Sequence, residues 1–351
     1  MGVTSVLVVN AGSSSLKLRL LGDDDSVEQA ADAKPGSDLA DLLREWRTPD
    51  AVGHRVVHGG TRFTDPVVID EHVRGELEAL TALAPLHQPT SLHGLDAVTA
   101  LLPDIPAVAC FDTAFHATIP AAAATYAVPE DWRKRYAIRR YGFHGLSHAW
   151  CSSRVATLTG ARRIVTAHLG AGASLAAVVD GRSVDTTMGF TPLEGLVMAT
   201  RSGTVDPGLV LWLAEQEHLA PHEISEALES RSGLLALAGT PDMREITGRD
   251  DEAAHLALDV YTHRLAGAVA AMAAAAGGIE ALAFTGGVGE HSAPVRARAA
   301  ERLAFLGVAI DAARNDAGAE EITAPDARVR TLVVPAREDL EIARGTRAAL
   351  S

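Results

Sequence analysis

Two glycine- and serine-rich turns carry residues that could hold a phosphate group. The first follows an apolar run and contains, in order, Asn10, Gly12, Ser13, Ser15 and Lys17. Apolar alternation resumes after the turn, which predicts a strand, a tight turn and a returning strand. Small residues let a phosphate approach closely, backbone N–H groups line such a turn, and the lysine adds a cation. An ordinary hairpin with a polar tip would have the same sequence, so this turn alone leaves both interpretations open.

The same pattern occurs a second time at residues 165–181. An apolar run ends near His168, and the turn that follows contains Gly170, Ala171 and Gly172 before apolar residues return. A structural hairpin does not need such a duplication, whereas two phosphate-binding hairpins facing a cleft describe a nucleotide clamp. The repeat therefore predicts two related halves, each opening with one hairpin.

Length and composition narrow the class of protein. The chain has 351 residues, enough for two domains, and 47% hydrophobic and 22% charged residues, which is typical of a globular protein. Its net charge of −14 argues against nucleic acid as a partner. Cys110 and Cys151 are too few for a disulfide framework. With no signal peptide or membrane span apparent in the sequence, we expect a cytoplasmic protein.

Strand-like and helical segments alternate along the chain. Strand-like runs at 52–58, 107–111, 281–284 and 331–334 alternate with helical spacing at 71–83, 92–102, 252–276 and 338–350. The strand-like run at 281–284 leads into a glycine turn with Gly286, Gly287 and Val288, which is suited to the phosphates of a nucleotide. The pattern predicts an α/β protein of two related domains.

Two arginines are the strongest candidates for binding anionic groups. Arg55 and Arg201 each occur in a polar stretch flanked by glycines, which we expect to be a loop, outside any helical salt-bridge spacing. A guanidinium group matches the geometry of carboxylate and phosphate oxygens. The alternative is that both are surface arginines without a role in binding.

Ten stretches of the sequence occur in the order found in one known family. They lie between residues 8 and 346 and read VVNAGSSSLK, GHRVVHGG, APLHQP, FDTAFH, RRYGFHGLSH, AHLGAGAS, DTTMGFTPLEGLVMATRSG, TPDMRE, FTGGVGE and EDLEIARGT. In these stretches the chain resembles the acetate kinase family. That family shares a superfamily with sugar kinases, heat-shock chaperones and actin. The resemblance implies two duplicated domains of the actin-like (ribonuclease H-like) α/β fold with an interdomain catalytic cleft, the first at 1–113 and 339–351 and the second at 114–338.

The resemblance also implies an activity. The expected reaction is reversible transfer of a phosphoryl group from ATP to acetate, by direct in-line displacement, giving ADP and acetyl phosphate. Mg²⁺ is the expected metal, with Mn²⁺ as an alternative, and a homodimer is the expected assembly. Two alternatives stay open: a propionate or butyrate kinase of the same family, and a non-catalytic, actin- or chaperone-like assembly protein that binds nucleotide.

Roles for individual residues follow from the same resemblance. The expected catalytic residues are Arg55, Asp112, His144 and Arg201. The expected acetate-side residues are Arg55, Val57, Leu86, His87, Phe143 and Pro192. The expected phosphate- and nucleotide-side residues are Ser13, Ser15, Lys17, His168, Gly170, Gly172, Asp242, Met243, Arg244, Gly286, Gly287 and Val288. Asn10 and Glu338 would position the metal. Ala171, Met243 and His291 depart from the family's usual residues, so the resemblance does not define the preferred nucleotide base.

Overall fold

The computed structural model describes residues 3–11, 16–34, 37–84 and 88–351, which pack into two compact units. Unit 1 comprises the described residues of Met1–Ala117, Phe143–Trp150 and Arg337–Ser351, and unit 2 comprises Thr118–Gly142 and Cys151–Ala336. The sequence-based division assigned Phe143–Trp150 to the second domain, whereas the structure packs this segment within unit 1. The reason is that Leu146 enters the apolar core formed around Val6 and Val108.

Six strands form one mixed sheet among the described residues of unit 1. They are β1 (Val6–Ala11), β2 (Leu16–Leu21), β3 (Val27–Ala33), β4 (Ala51–Val56), β5 (Val67–Val68) and β6 (Ala107–Phe111). Their spatial order is β3-β2-β1-β4-β6-β5. Strands β1, β2 and β3 form an antiparallel meander, whereas β1, β4 and β6 are parallel. The parallel strands are buried on both faces, as expected where helices cover a sheet on both sides.

Unit 2 contains a second mixed sheet with a related strand order. Its strands are β7 (Arg163–Leu169), β8 (Ala173–Val179), β9 (Arg182–Thr186), β10 (Ala281–Thr285) and β11 (Arg330–Val333). The order β9-β8-β7-β10-β11 repeats the order β3-β2-β1-β4-β6 of unit 1, with the first three antiparallel and the last three parallel. The duplication predicted from the two glycine turns is therefore confirmed by the strand order.

Fifteen α-helices lie in the described part of the chain. They are α1 (Leu39–Leu43), α2 (Glu71–Ala79), α3 (Gln88–Leu101), α4 (Ala121–Ala124), α5 (Glu130–Tyr136), α6 (Gly145–Thr159), α7 (Pro207–Glu215), α8 (Pro221–Ser230), α9 (Gly233–Ala238), α10 (Met243–Thr247), α11 (Glu252–Ala275), α12 (Gly286–His291), α13 (Ala293–Arg302), α14 (Ala312–Asp316) and α15 (Glu338–Ala349). Six of them begin after an aspartate whose carboxylate accepts a backbone N–H of the first turn. Within these residues, no helix has the length and apolar character that crossing a membrane requires.

Helix α15 packs closely on β4 because Gly53 has no side chain. A Cβ at this position would overlap Oγ1 of Thr346 and would lie 2.7 Å from Cγ2 of Ile342. Ile342 and Leu340 bury their side chains in the same apolar core as Val6. This close approach fixes the N-terminus of α15, and therefore Glu338, relative to the sheet of unit 1.

Three buried histidines of unit 1 make the fold sensitive to acid. Burial lowers the pKa of His54, His58 and His116 from 6.5 to about 4. In the unfolded chain these imidazoles take up protons near pH 6.5, whereas in the folded chain they stay neutral until about pH 4. Protons therefore favour the unfolded chain. The stabilisation is complete above pH 6.5 and is lost as the pH falls to about 4.

We expect the free energy of unfolding to fall over this range, by at most about 3 kcal/mol for each histidine. Urea unfolding measured at several values between pH 7 and pH 4 checks the prediction. His54 offers a matched variant, because its Nε2 atom has no hydrogen-bond partner among the described residues. His54→Asn should therefore show a shallower fall than the wild type. An unfolding free energy that does not change between pH 6.5 and pH 5 would contradict the prediction.

Candidate active site

Three candidate residues meet at one edge of the sheet of unit 1. Asn10 lies near the end of β1, Arg55 near the end of β4, and Asp112 directly after β6. Because these strands are parallel neighbours, their carboxyl ends lie at the same edge, where ligands of α/β proteins commonly bind. Arg55 therefore lies on a strand. The strand-like run predicted at 52–58 is confirmed for this position, and the expectation that Arg55 lies in a loop was wrong. The apolar run before it continues through Val56, so the ladder with β6 extends past Arg55.

Arg55 holds Asp112 in a buried, bidentate ion pair. Its Nε atom lies 3.1 Å from both carboxylate oxygens, and its Nη2 atom lies 2.5 Å from Oδ2. Asp112 is only 1% exposed and Arg55 is 15% exposed. The remaining nitrogen, Nη1, faces Oδ1 of Asn10 at 3.4 Å, and Asn10 donates from Nδ2 to Glu338 over 2.7 Å. The four side chains form one connected cluster from β6 to α15.

The cluster combines one cation with two carboxyl groups. Burial opposes the charge of Arg55, but Asp112 and Glu338 outweigh this effect and raise the pKa of the guanidinium. Burial raises the pKa of Asp112, with Arg55 opposing the rise and Glu338 adding to it. With both carboxyl groups ionised, the cluster has a formal charge of −1, and a bound divalent cation would reverse that sign. The cluster contains the carboxylate of Glu338 and, facing Arg55, the amide oxygen of Asn10. Oxygen ligands of this kind fit Mg²⁺, which takes few protein oxygens and keeps water and phosphate ligands.

His144 stands in a strained turn next to this cluster. Its φ is +55°, a left-handed conformation that costs a non-glycine residue about 1–2 kcal/mol. The amide of Gly145 donates to the carbonyl of Asp112 over 2.9 Å, and a Cβ at Gly145 would overlap that carbonyl oxygen. Nε2 of His116 lies 3.0 Å from the carbonyl of Phe143. Because a carbonyl only accepts, neutral His116 carries its proton on Nε2. Strain of this kind is concentrated at functional sites.

Of the other residues predicted for unit 1, the structure describes three and leaves four outside the described residues. Val57 and Phe143 are 6% and 2% exposed, and the rings of His58 and Phe143 meet edge to face at 5.6 Å. Lys17 is exposed and lies opposite Asn10 in the β1–β2 ladder, so the two side chains project from the same face. Ser13, Ser15, Leu86 and His87 lie outside the described residues.

The predicted phosphate-binding turns of unit 2 meet at the carboxyl ends of β7 and β10. These strands are parallel neighbours, with His168 opposite Thr285, so Gly170 and Gly172 follow one strand and Gly286, Gly287 and Val288 follow the other. Gly286 has a φ of +78°, and a Cβ there would lie 2.9 Å from the carbonyl oxygen of Leu169. A Cβ on Gly287 would meet open space. The sheet therefore brings both glycine turns to one edge.

Asp242, Met243 and Arg244 lie at the start of α10. Asp242 caps this helix by accepting the amide of Arg244 over 2.8 Å, and its carboxylate pairs with the Arg244 guanidinium at 2.6 Å. These contacts lower the pKa of Asp242 to about 2. Met243 is only 4% exposed, so its side chain packs in the interior of unit 2.

Arg201 lies in the irregular segment between β9 and α7, as predicted. Its Nη1 atom donates to the carbonyl of Pro192 over 3.2 Å, and its own carbonyl accepts the amide of Met198. Gly233 permits this turn, because its φ is +63° and a Cβ there would lie 2.7 Å from the Arg201 carbonyl oxygen. Burial lowers the pKa of Arg201, with Glu229 opposing the shift.

Sequence reasoning missed several residues that support these loops. His116 in unit 1, and Tyr126, Arg140 and Glu194 in unit 2, are all buried or half-buried and bond to the backbone or to one another within their own unit. Three of them lie in the stretches FDTAFH, RRYGFHGLSH and TPLEG, which were a usable signal. The amino-acid sequence alone does not show which arginine or histidine side chain is buried.

The repeated strand order and the candidate residues at the ends of parallel strands define a class of protein. The chain has the two-domain α/β fold of the actin-like ATPases. The sequence model of the acetokinase family matches residues 38–344, and the chain belongs to that family.

Individual relatives agree with this assignment. An acetate kinase of Fervidobacterium nodosum is 44% identical over 97% of this chain and 97% of its own length. Among solved structures, a propionate kinase from Francisella tularensis superposes with a TM-score of 0.92 at 36% identity, covering 98% of this chain and 99% of its own. An acetate kinase of Porphyromonas gingivalis gives a TM-score of 0.89 at 37% identity, covering 99% and 100%.

Proposed function

We propose that the protein catalyses reversible phosphoryl transfer between ATP and acetate, giving ADP and acetyl phosphate. The observation that supports it most is the buried pair of Arg55 and Asp112, which leaves the Nη1 atom of the guanidinium facing Asn10, and Asn10 in turn donates to Glu338. Both reactants are anions, so charge neutralisation and positioning are the main catalytic tasks. Acetate is already ionised at neutral pH, so the reaction needs no general base.

In this proposal each residue has a defined part. An acetate oxygen attacks the γ-phosphorus of ATP while the bond to the β,γ-bridging oxygen breaks, so that ADP leaves in line. Arg55 and Arg201 bind oxygens of acetate and of the transferred phosphoryl group, and His144 donates a hydrogen bond to that group. Asp112 fixes the orientation of Arg55. Glu338 and Asn10 would hold Mg²⁺, or Mn²⁺ as an alternative, which supplies positive charge to the phosphates when bound.

The glycine turns of unit 2 are proposed to bind the nucleotide. The turn at 169–172 and the start of α12 present backbone groups at one sheet edge, an arrangement that suits phosphate oxygens. Asp242, Met243 and Arg244 are proposed for the adenosine side, with Met243 acting through packing because it is buried. Lys17, Ser13 and Ser15 are proposed for phosphate contacts from the first hairpin.

The protein is also proposed to form a homodimer through unit 2. Helix α7 has no buried residue, and Leu209, Leu211 and Trp212 are 45%, 58% and 50% exposed. Exposed apolar side chains grouped on one helix are typical of surfaces that contact another protein. A second copy of the chain would remove them from water.

Formation of acetyl phosphate tests the activity directly. The protein is incubated with ATP, Mg²⁺, acetate and hydroxylamine, and acetyl phosphate is trapped as the hydroxamate. We expect hydroxamate in proportion to the ADP produced. An assembly protein of the actin or chaperone type would release ADP without any hydroxamate, and that result would reject the proposal.

A preference for acetate over longer acids is the second expectation. Val57 and Phe143 are buried and are proposed to surround the methyl group, so an added methylene must displace packed atoms. One methylene changes the activation free energy by about 1–3 kcal/mol, so we expect kcat/KM for propionate to be about tenfold lower. Val57→Ala should reduce this difference. The solved relative named a propionate kinase makes that acid the second candidate, and a higher kcat/KM for propionate would favour it.

A further inference from the structure

The segment 187–192 of unit 2 has no helix or strand. It ends at Pro192, and Arg201 follows in the same irregular stretch of the chain. A cavity of about 550 Å³ lies against the same loop, lined by Thr187 and by Glu194–Val197 among others. Packing against the neighbouring helices is therefore incomplete on that face. A loop that borders such a space needs hydrogen bonds to hold one conformation.

Arg140 supplies hydrogen bonds to this segment from one guanidinium. Its Nη1 atom donates to the carbonyls of Thr187 and Met188 over 3.2 and 3.0 Å, and its Nη2 atom donates to Glu194 over 2.7 Å. The side chain is only 17% exposed. Charge-assisted hydrogen bonds in a buried setting are the strong ones, and the planar fork allows three acceptors to be held at fixed angles.

Tyr126 completes the arrangement. Its hydroxyl donates to the second carboxylate oxygen of Glu194 and accepts the amide of Phe190 over 3.0 Å. The guanidinium of Arg140 lies over the Tyr126 ring at 5.5 Å. Gly189 makes this contact feasible, because a Cβ there would overlap both Glu194 and the Tyr126 hydroxyl. We call Tyr126, Arg140 and Glu194 the loop clamp.

The loop clamp connects to the proposed chemistry through one further hydrogen bond. The carbonyl of Pro192 accepts from Nη1 of Arg201. The clamp holds the backbone at 187–190, shortly before Pro192. A shift of that backbone therefore moves both Pro192, which is expected on the acetate side, and its carbonyl, which accepts from Arg201.

We propose that Tyr126, Arg140 and Glu194 are positioning residues that set the placement of Pro192 and Arg201 and thereby the selectivity for the acyl chain. The inference rests on the proposed function, since selectivity is defined by acetate and propionate. None of the three clamp residues is required to touch the substrate. Their effect passes through the backbone at 187–192 and through the hydrogen bond between Pro192 and Arg201.

The test compares Arg140→Met with a matched control, Arg330→Met. Arg330 also holds a glutamate through two nitrogens, with Nε and Nη2 each 2.7 Å from Glu321, but it lies on β11 and its ion pair involves neither the loop clamp nor the segment 187–192. We expect Arg140→Met to lower kcat/KM for acetate about 10²-fold, the size of effect that a displacement of about 1 Å produces. The ratio of kcat/KM for acetate to that for propionate should fall toward one, while KM for ATP changes little. Arg330→Met should keep the wild-type ratio.

Milder variants keep the test informative if Arg140→Met does not fold. Arg140→Lys retains the charge without the fork, so an intermediate loss of about tenfold is expected. Tyr126→Phe and Glu194→Gln each break one link of the clamp, and their effects on the acetate-to-propionate ratio should be non-additive in the double variant.

The outcomes separate the inference from the proposed function. A wild-type protein that forms no acetyl phosphate rejects the proposed function and, with it, a role of the clamp in acyl selectivity. An active wild type with an unchanged acetate-to-propionate ratio in Arg140→Met, Arg140→Lys and Tyr126→Phe overturns the positioning inference alone. Equal losses in the Arg330→Met control would show that the effect is one of folding and would also overturn it.

Discussion

Replacing Arg55 with alanine should lower kcat by about 10³-fold or more, the range measured for charge-stabilising arginines in phosphoryl transfer. The physical reason is the loss of a guanidinium that Asp112 holds at the carboxyl edge of the sheet through two nitrogens. Steady-state kinetics of acetyl phosphate formation measure the effect. A loss below tenfold in a folded variant would remove Arg55 from the mechanism.

Arg55→Ala also leaves the carboxyl group of Asp112 buried without its cation. Asp112 is 1% exposed, and breaking a buried ion pair on one side costs about 3–5 kcal/mol of folding free energy. The double variant Arg55→Ala/Asp112→Asn removes the stranded charge. We therefore expect the double variant to regain stability in urea unfolding while kcat stays low. Arg19→Ala is the matched control, because Arg19 pairs with Asp32 elsewhere in unit 1.

Arg201→Ala should cause a loss of similar size, again about 10³-fold in kcat. Burial lowers the pKa of Arg201, with Glu229 opposing the shift, and a half-desolvated guanidinium interacts more strongly with an approaching anion than an exposed one. Arg201→Lys keeps the charge but cannot bind two oxygens at once, so its kcat should lie between those of wild type and Arg201→Ala.

The exposed Arg231 of unit 2 provides the control for Arg201. Arg231 is 62% exposed and pairs loosely with Glu226, so Arg231→Ala should leave the kinetics unchanged. Thermal unfolding of both variants separates a loss of chemistry from a loss of fold. If Arg201→Ala keeps its melting temperature and loses less than tenfold in kcat, Arg201 is not a charge-stabilising residue.

Local patterns predicted the elements of the fold well. The strand–turn–strand pattern around Asn10 and the matching pattern around His168 each became an antiparallel pair of strands, and the long helix at 252–276 ends within one residue of its predicted bound. These signals work because side-chain periodicity and turn chemistry depend on neighbours in sequence. The division of the chain between units did not follow from them, because Phe143–Trp150 joins unit 1 through contacts distant in sequence.

The candidate site shows the same contrast. The resemblance to the acetate kinase family placed Arg55 and Asp112 together among the catalytic residues, but only the pairing of β4 with β6 brings them into contact 57 positions apart. Arg140 differs from Arg139 by one position in the chain, and no local rule shows that Arg140 rather than Arg139 bonds Glu194. The strained φ of His144 was likewise not readable from its flanking glycines.

The sequence by itself determined the class of fold, its duplication and the types of side chain available for binding two anions. Those properties are encoded in periodicity, composition and short motifs, which survive without any tertiary contact. Only the tertiary structure decided which strand ends adjoin, which carboxylate each guanidinium holds and which backbone segments need a clamp. Hydrogen bonds and burial between residues far apart in the chain set those choices, because they depend on the register of strands and on the space left between packed elements.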